Sequence, residues 1–452
     1  MLKIKLTLSV IFCVVGISQL SAQKGVSSSS VSMNRNNQIL LPDQVQIEEY
    51  VNYHDHKIPR PTYNNHVRLS LDYRMSPDET IILQVGLATK ELLDLSDLPP
   101  VNVSLVIDRS GSMQSQGKIY HVKDALKAFI KGLRPKDYVS IIAYDSRASV
   151  ILKSTKVEEI EALESIISSI RASGSTNLND GLTLGYKEVW ANYNPNYTNK
   201  VILFTDGIAN VGVTDIEDIV ENSFAFNKKG IDVSTIGLGN NLNYQLLQQL
   251  AKKGRGSNHF VGEHREDIIK VFDNELQALL SSIGKEASVE IEYPEEFTIK
   301  EIYGHTPSIK PQSIVIPLEQ LNNGQTQVIL VEFNAQNYAK KLPLKATLRY
   351  KASCNEVHFL EEEISVKLHE NKSFNNGEVM KNYYIAKMAS SLKQMAKESQ
   401  ANNYEVAYHV VNNCLNEINE VFNNVQDKDI KRIRNILVKR KEMIENYKPR
   451  HY

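Results

Sequence analysis

The sequence predicts an α/β protein: a doubly wound, mostly parallel sheet inserted in a β-sandwich and followed by a helical tail. Three observations carry this expectation. Between residues 101 and 284, short apolar runs rich in β-branched residues alternate with amphipathic stretches, the pattern of parallel strands joined by crossover helices. On either side, at 67–87 and 287–369, apolar and polar residues alternate with the period of half-buried strands. From 376 onward apolar residues recur at helical spacing instead, as in Tyr384, Met388, Leu392, Met395 and in Val406, Val410, Cys414, Ile418, Val421.

The elements follow in order. Met1-Leu2-Lys3-Ile4-Lys5 is a short basic start, 6–20 is apolar, and Ser21-Ala22-Gln23 offers a cleavage point. This pattern predicts a signal peptide at 1–22 and hence export, to the periplasm, the cell surface or the medium. Cys13 follows bulky Phe12, which argues against a lipoprotein cleavage site. No later stretch is long and apolar enough to span a bilayer. Residues 23–41, with Ser27 to Ser30 in a row, read as a flexible linker. Residues 42–100 hold the aromatic segment Ile47 to Tyr53 and a hairpin, 67–73 with 80–87, turned at Ser76-Pro77-Asp78-Glu79. A lone hairpin is marginally stable, so these strands are expected to join those of 285–370.

Within 101–284 the expected strands are 103–107, 138–144, 201–205, 233–238 and a short 259–261. The expected helices are 118–132, 157–169, 177–190, 216–228, 244–252 and 265–283. The last helix leads directly into the next β unit. In 285–370 the alternation marks strands at 289–292, 313–316, 327–331, 344–348 and 364–368, with a turn at Asn322-Asn323-Gly324. The tail, 376–448, reads as a helical hairpin turning at Asn402-Asn403 plus a third helix bearing Ile430, Ile433, Leu437 and Ile444. Beyond the leader only Cys354 and Cys414 remain, expected as separate buried thiols rather than a disulfide.

The 452 residues carry a formal net charge of −1, which leaves no electrostatic footprint for nucleic acid. Function is concentrated elsewhere. The apolar run Val103 to Ile107 ends abruptly in Asp108-Arg109-Ser110-Gly111-Ser112, delivering one carboxylate and two hydroxyls into a tight loop. Gly174-Ser175-Thr176-Asn177 precedes a helix, and Thr205-Asp206-Gly207 ends another strand. Singly, Thr176 reads as a helix N-cap and Asp206-Gly207 as a turn. Together they are hard oxygen ligands of the kind Mg²⁺ or Mn²⁺ takes, all beside the carboxyl edges of strands where open α/β sheets bind ligands.

On these three segments residues 101–284 resemble a von Willebrand factor type A domain, and the segments match its metal-ion-dependent adhesion site. The resemblance implies that Ser110, Ser112 and Thr176 offer hydroxyls to the metal, and that Asp108 and Asp206 act as carboxylates, often through water. Residues 201–213 and Ile47 to Tyr53 also resemble exported bacterial envelope proteins of this kind. Two carboxylates roughly neutralise a divalent cation, and neutral ligands leave it an exchangeable position that a partner protein's Glu or Asp carboxylate can take. The expectation is therefore a non-enzymatic adhesion or scaffolding protein. Its rivals are an envelope-assembly role that does not use the metal, and a metal-dependent hydrolase. Hydrolysis needs a positioned base, and the three loops hold no His, Cys or Lys. His54-Asp55-His56 lacks the further ligands of a zinc site, His259 and His264 read as packed or solvent-facing, and Gly237-Leu238-Gly239 lacks the third glycine of a dinucleotide loop.

Overall fold

The structure, a computed structural model, describes residues 40–447 apart from 54–55, 63–64, 92–97, 240, 263–264, 319, 336–340, 353–355, 368–376 and 424. The expected signal peptide and nearly all of the expected linker lie outside the described residues. After a 3-10 turn at Pro42–Gln44, the segment Ile47–Val51 forms the short helix α1. The hairpin follows as β1 (Val67–Met75) and β2 (Ile81–Thr89), with Met75 opposite Ile81.

The chain then builds the α/β unit from β3 (Val101–Asp108), α2 (Lys118–Gly132), β4 (Tyr138–Tyr144), β5 (Ala148–Lys156), α3 (Ile160–Ser169) and α4 (Leu178–Ala191). It continues through β6 (Thr198–Thr205), α5 (Ile216–Asn227), β7 (Asp232–Leu238), α6 (Tyr244–Lys253), β8 (Arg255–Val261) and α7 (Arg265–Leu280). The sheet order is β5-β4-β3-β6-β7-β8, parallel throughout except for the β4–β5 pair. Strand β5 was not among the expected strands. It is an edge strand with no fully buried residue, so its sequence carries little of the apolar run that marks its neighbours. By contrast every residue of β3 is buried, because helices cover both faces. Val103, Leu105 and Ile107 pack with α2, α3 and α7, while Val106 packs with α4 on the opposite face. The strand order reverses between β3 and β6, which makes the carboxyl ends of those two strands the switch point of the sheet.

Helix α7 stops at Leu280, three residues earlier than expected, and β9 (Ser282–Glu292) begins after one intervening residue. Ile283 belongs to the sandwich core, and Gly284 pairs with Leu321, so β pairing takes these residues from the helix. Next come β10 (Phe297–Ile302), β11 (Ser308–Lys310), β12 (Ser313–Pro317), β13 (Leu321–Asn322), β14 (Thr326–Ala335), β15 (Lys341–Ala352) and β16 (Val357–Lys367). The sequence did not reveal β10, β11 or β13, which are short; β11 is exposed throughout, and β10 has only one buried residue. One sheet runs β1-β2-β14-β10 and the other β11-β12-β9-β15-β16, with β13 on β9. Pairing of β2 with β14, Ile81 opposite Phe333, joins strands from before and after the α/β unit and so makes that unit an insertion. Leu69, Leu83 and Val85 of one sheet share a core with Val289, Ile291 and Leu348 of the other.

The tail forms α8 (Glu378–Gln400), α9 (Tyr404–Val421) and α10 (Lys428–Glu445). Met380 and Tyr383 of α8 cover Ile82, Val328 and Leu330 on the outer face of the first sheet, where Asn382 donates to Gln84 Oε1 at 2.8 Å. The buried face of α9 is Ala407, Val411, Cys414, Leu415 and Ile418, turned from the expected stripe, and Val406 is 49% exposed. Cys414 is a free buried thiol; Cys354 lies outside the described residues.

Candidate metal centre

The three segments meet at the switch point because backbone bonds zip their loops together. Gly111 N–H donates to Gly174 O at 3.0 Å and Ser173 N–H to Arg109 O at 2.7 Å. Gly174 holds φ +78, a left-handed conformation in which a side chain would be strained. Asn210 and Thr176 exchange bonds, Asn210 N–H to Thr176 O at 3.0 Å and Thr176 N–H to Asn210 Oδ1 at 2.8 Å. The N-cap of α4 is Asn177, whose side chain accepts from Asp180 N–H. Thr176 is thereby released from the capping role its position suggested, and its hydroxyl lies on the inner side of the loop. A methyl built on Gly207 would sit 3.7 Å from Thr176 Oγ1 and 3.9 Å from Ser112 Oγ, so the loops after β3, before α4 and after β6 converge on one point.

Around that point the oxygens form a chain. Ser110 Oγ and Ser112 Oγ are 3.0 Å apart, and Ser112 Oγ donates to Asp206 Oδ1 at 2.8 Å. Adjacent ligands on an octahedral Mg²⁺ with bonds of about 2.1 Å stand about 3.0 Å apart, so this spacing fits such an ion. Asp108 is fully buried, and its hydrogen bonds come from neutral groups: Ser110 N–H at 2.8 Å, Thr205 Oγ1 at 2.9 Å and a longer contact from Tyr144 at 3.4 Å. Burial, followed in weight by Ser110's opposing hydrogen bonds and Asp206's negative charge, leaves its carboxyl pushed up to about 6. A buried carboxylate with neutral donors and a second carboxylate nearby suits a cation. Among the described residues no group of three or more His, Cys, Asp and Glu comes together, so this donor set leans on hydroxyls.

One charged group at the centre escaped the sequence reading. Lys118, the first residue of α2, places Nζ 2.5 Å from Asp206 Oδ2, with both side chains buried. Its position just past the Ser112 loop was the available signal, but only the turn at Gly117, φ +71, sends it back beneath the loop. At the rim Arg109 pairs with Asp145 at 3.0 Å, and Ile208 stands 47% exposed.

His56 and His259 lie apart from this centre. His56 is buried against Asn52, with Nε2 3.1 Å from Oδ1, while His54, Asp55 and His264 are outside the described residues. His259 belongs to a buried network with Glu275 of α7 and Lys200 of β6: Nε2 lies 3.0 Å from Glu275 Oε2, and Lys200 Nζ 2.7 Å from Oε1. Burial pushes the Glu275 carboxyl up, but Lys200's charge and His259's hydrogen bond outweigh it and hold the group well below the usual range. Gly237 owes its lack of a side chain to packing, since a Cβ there would lie 2.6 Å from Leu242.

A doubly wound sheet with an oxygen cluster at its switch point defines a class, and comparison agrees. Residues 102–274 match the family model of the von Willebrand factor type A domain, and the chain carries a domain of that family. It is 29% identical over 272 residues to the uncharacterized protein YfbK of Escherichia coli (strain K12), covering 57% of this chain and 46% of that one. It is 30% identical over 207 residues to inter-alpha-trypsin inhibitor heavy chain H3 of Homo sapiens, covering 43% of this chain and 22% of that one. The chain thus spans less than half the length of these relatives. A von Willebrand factor type A structure from Catenulispora acidiphila shares the fold at TM-score 0.60 and 15% identity, over 80% of this chain and 88% of that one. The ArnB paralog VWA2 from Sulfolobus acidocaldarius does so at TM-score 0.52 and 16% identity, over 85% and 98%. Domains of this family serve protein interaction and adhesion in general. Among the described residues no helix is long and apolar enough to cross a membrane.

Proposed function

We propose that this is an exported, non-enzymatic adhesion or scaffolding protein that binds a partner protein through Mg²⁺ or Mn²⁺ held by Asp108, Ser110, Ser112, Thr176 and Asp206. The observation that carries the reading is the convergence of two buried carboxylates and three hydroxyls at the switch point, with hydroxyl and carboxylate oxygens 2.8–3.0 Å apart. When bound, the cation would supply a Lewis-acidic position for a Glu or Asp side chain of the partner. The chain's own residues then have distinct tasks. Thr205 and the Ser110 amide orient Asp108, the Gly111–Gly174 bond keeps the loops in register, and exposed Ser112 and Ile208 face the approaching partner. Lys118 is held in an ion pair with Asp206, an arrangement that favours a charge-balancing role over that of a general base. Export rests on the basic and apolar start of the chain, residues 1–22.

The test is capture of partners from envelope extracts with Mg²⁺ or with chelator, using the wild type and Asp108→Ala. The proposal expects partners retained by the wild type in Mg²⁺ and lost in both other conditions. Partners captured equally in all three would refute metal-dependent binding. N-terminal sequencing of the protein from a native envelope fraction checks export, and a start at Met1 would refute cleavage.

A further inference from the structure

We propose that Lys118 is a built-in counter-cation that sets the charge of this centre, weakening its hold on the bare cation and strengthening that of the loaded centre on an anionic partner group. The inference rests on the preceding reading that these residues hold a divalent ion. Its basis is how the Asp206 carboxylate is divided. Oδ1 faces the hydroxyl chain and accepts from Ser112, while Oδ2 is taken by the Lys118 ammonium at 2.5 Å. Lysine is seldom buried unless paired, yet Lys118 is only 6% exposed and Asp206 2%. The left-handed Gly117 spends a conformation on bringing it there.

The charge count decides the consequence. Asp108 and Asp206 alone carry −2, so a divalent cation would make a neutral centre with little preference for a carboxylate over water. With Lys118 the protein groups sum to −1 and the loaded centre to +1. Arg109 does not alter that sum, because Asp145 neutralises it. In a partly buried site the remaining charge favours an anion as the final ligand. A unit charge about 6 Å from a divalent ion changes its affinity roughly tenfold even at the dielectric constant of water. The sequence-based expectation that two carboxylates neutralise the cation is therefore revised: the loaded centre would be cationic until a partner completes it.

The experiment measures Mn²⁺ affinity by electron paramagnetic resonance, then acetate binding to the Mn²⁺-loaded protein by water-proton relaxation. It compares the wild type, Lys118→Met and Lys118→Arg. Lys118→Met is expected to bind Mn²⁺ about tenfold more tightly and acetate about threefold more weakly, and Lys118→Arg to resemble the wild type. Mn²⁺ affinity in Lys118→Met that is unchanged or lower would overturn the inference and leave Lys118 as a residue that orients Asp206. A wild type that binds no Mn²⁺ would instead overturn the underlying reading, and this inference with it. Should Lys118→Met fail to fold by circular dichroism, Lys118→Gln carries the same comparison.

Discussion

Replacing Glu275 by Leu tests the buried network that ties α7 to the sheet. The carboxylate bridges Lys200 of β6 at 2.7 Å and His259 of β8 at 3.0 Å, and Lys200 and Glu275 are each only 1% exposed. Removing it strands the Lys200 ammonium in the core. Breaking a buried pair in this way costs about 3–5 kcal/mol, because the remaining charge keeps its desolvation penalty and loses its partner. At roughly 2–4 °C per kcal/mol for a unit of this size, the α/β melting transition should fall by about 10 °C. The double variant Lys200→Met with Glu275→Leu removes both charges and should recover most of that loss. The unpaired His259 ring retains a residual cost of about 1–3 kcal/mol. The sign of the pH dependence follows from the depressed Glu275 carboxyl. Its contribution is full above the ordinary carboxylate range and is lost as pH falls through the lower folded value, so the wild type and Glu275→Leu should converge in acid. Calorimetry of the three proteins at neutral pH and at decreasing pH makes the check. A single variant losing less than about 1 kcal/mol, or a double variant no better than the single, would refute the argument.

Thr205→Val keeps the shape of the side chain but deletes the hydroxyl bonded to Asp108 Oδ2 at 2.9 Å; Mn²⁺ affinity by electron paramagnetic resonance should fall about 10–100-fold. At Gly185 a Cβ would approach Val106 Cγ2 to 2.4 Å, where α4 lies against β3. Gly185→Ala should therefore cost about 1–3 kcal/mol in thermal unfolding by forcing helix and strand apart. Cys414 is 3% exposed, and burial pushes its thiol up to about 11. Mass spectrometry after brief alkylation at pH 8 should find Cys414 unmodified in the native protein and fully modified once the protein is denatured.

Much of the α/β unit is legible in the sequence because burial on both faces leaves a strong mark. Every residue of β3 and β7 is buried, and their apolar runs stand out between amphipathic helices. The edge and surface strands are faint for the opposite reason. Strand β5 has no fully buried residue and every residue of β11 is exposed, so neither is under pressure to alternate. The boundary of α7 was misplaced because Ile283 and Gly284 are claimed by partners distant in sequence, the sandwich core and Leu321.

By itself the sequence determined the class of fold and the insertion of that unit between β strands, and it singled out five oxygen-bearing residues as a candidate site. These depend on local patterns: burial periodicity, and short motifs at strand ends. Tertiary structure alone decided what the five residues face. It made Asn177 rather than Thr176 the helix cap, and it brought Lys118 to Asp206 across 88 positions of chain. It also buried Lys200, Glu275 and His259 together from three separate elements. A charge leaves the same letter in the sequence whether it points to water or to the core. Only the folding of distant segments onto one another sets its partners, and with them the net charge of the centre.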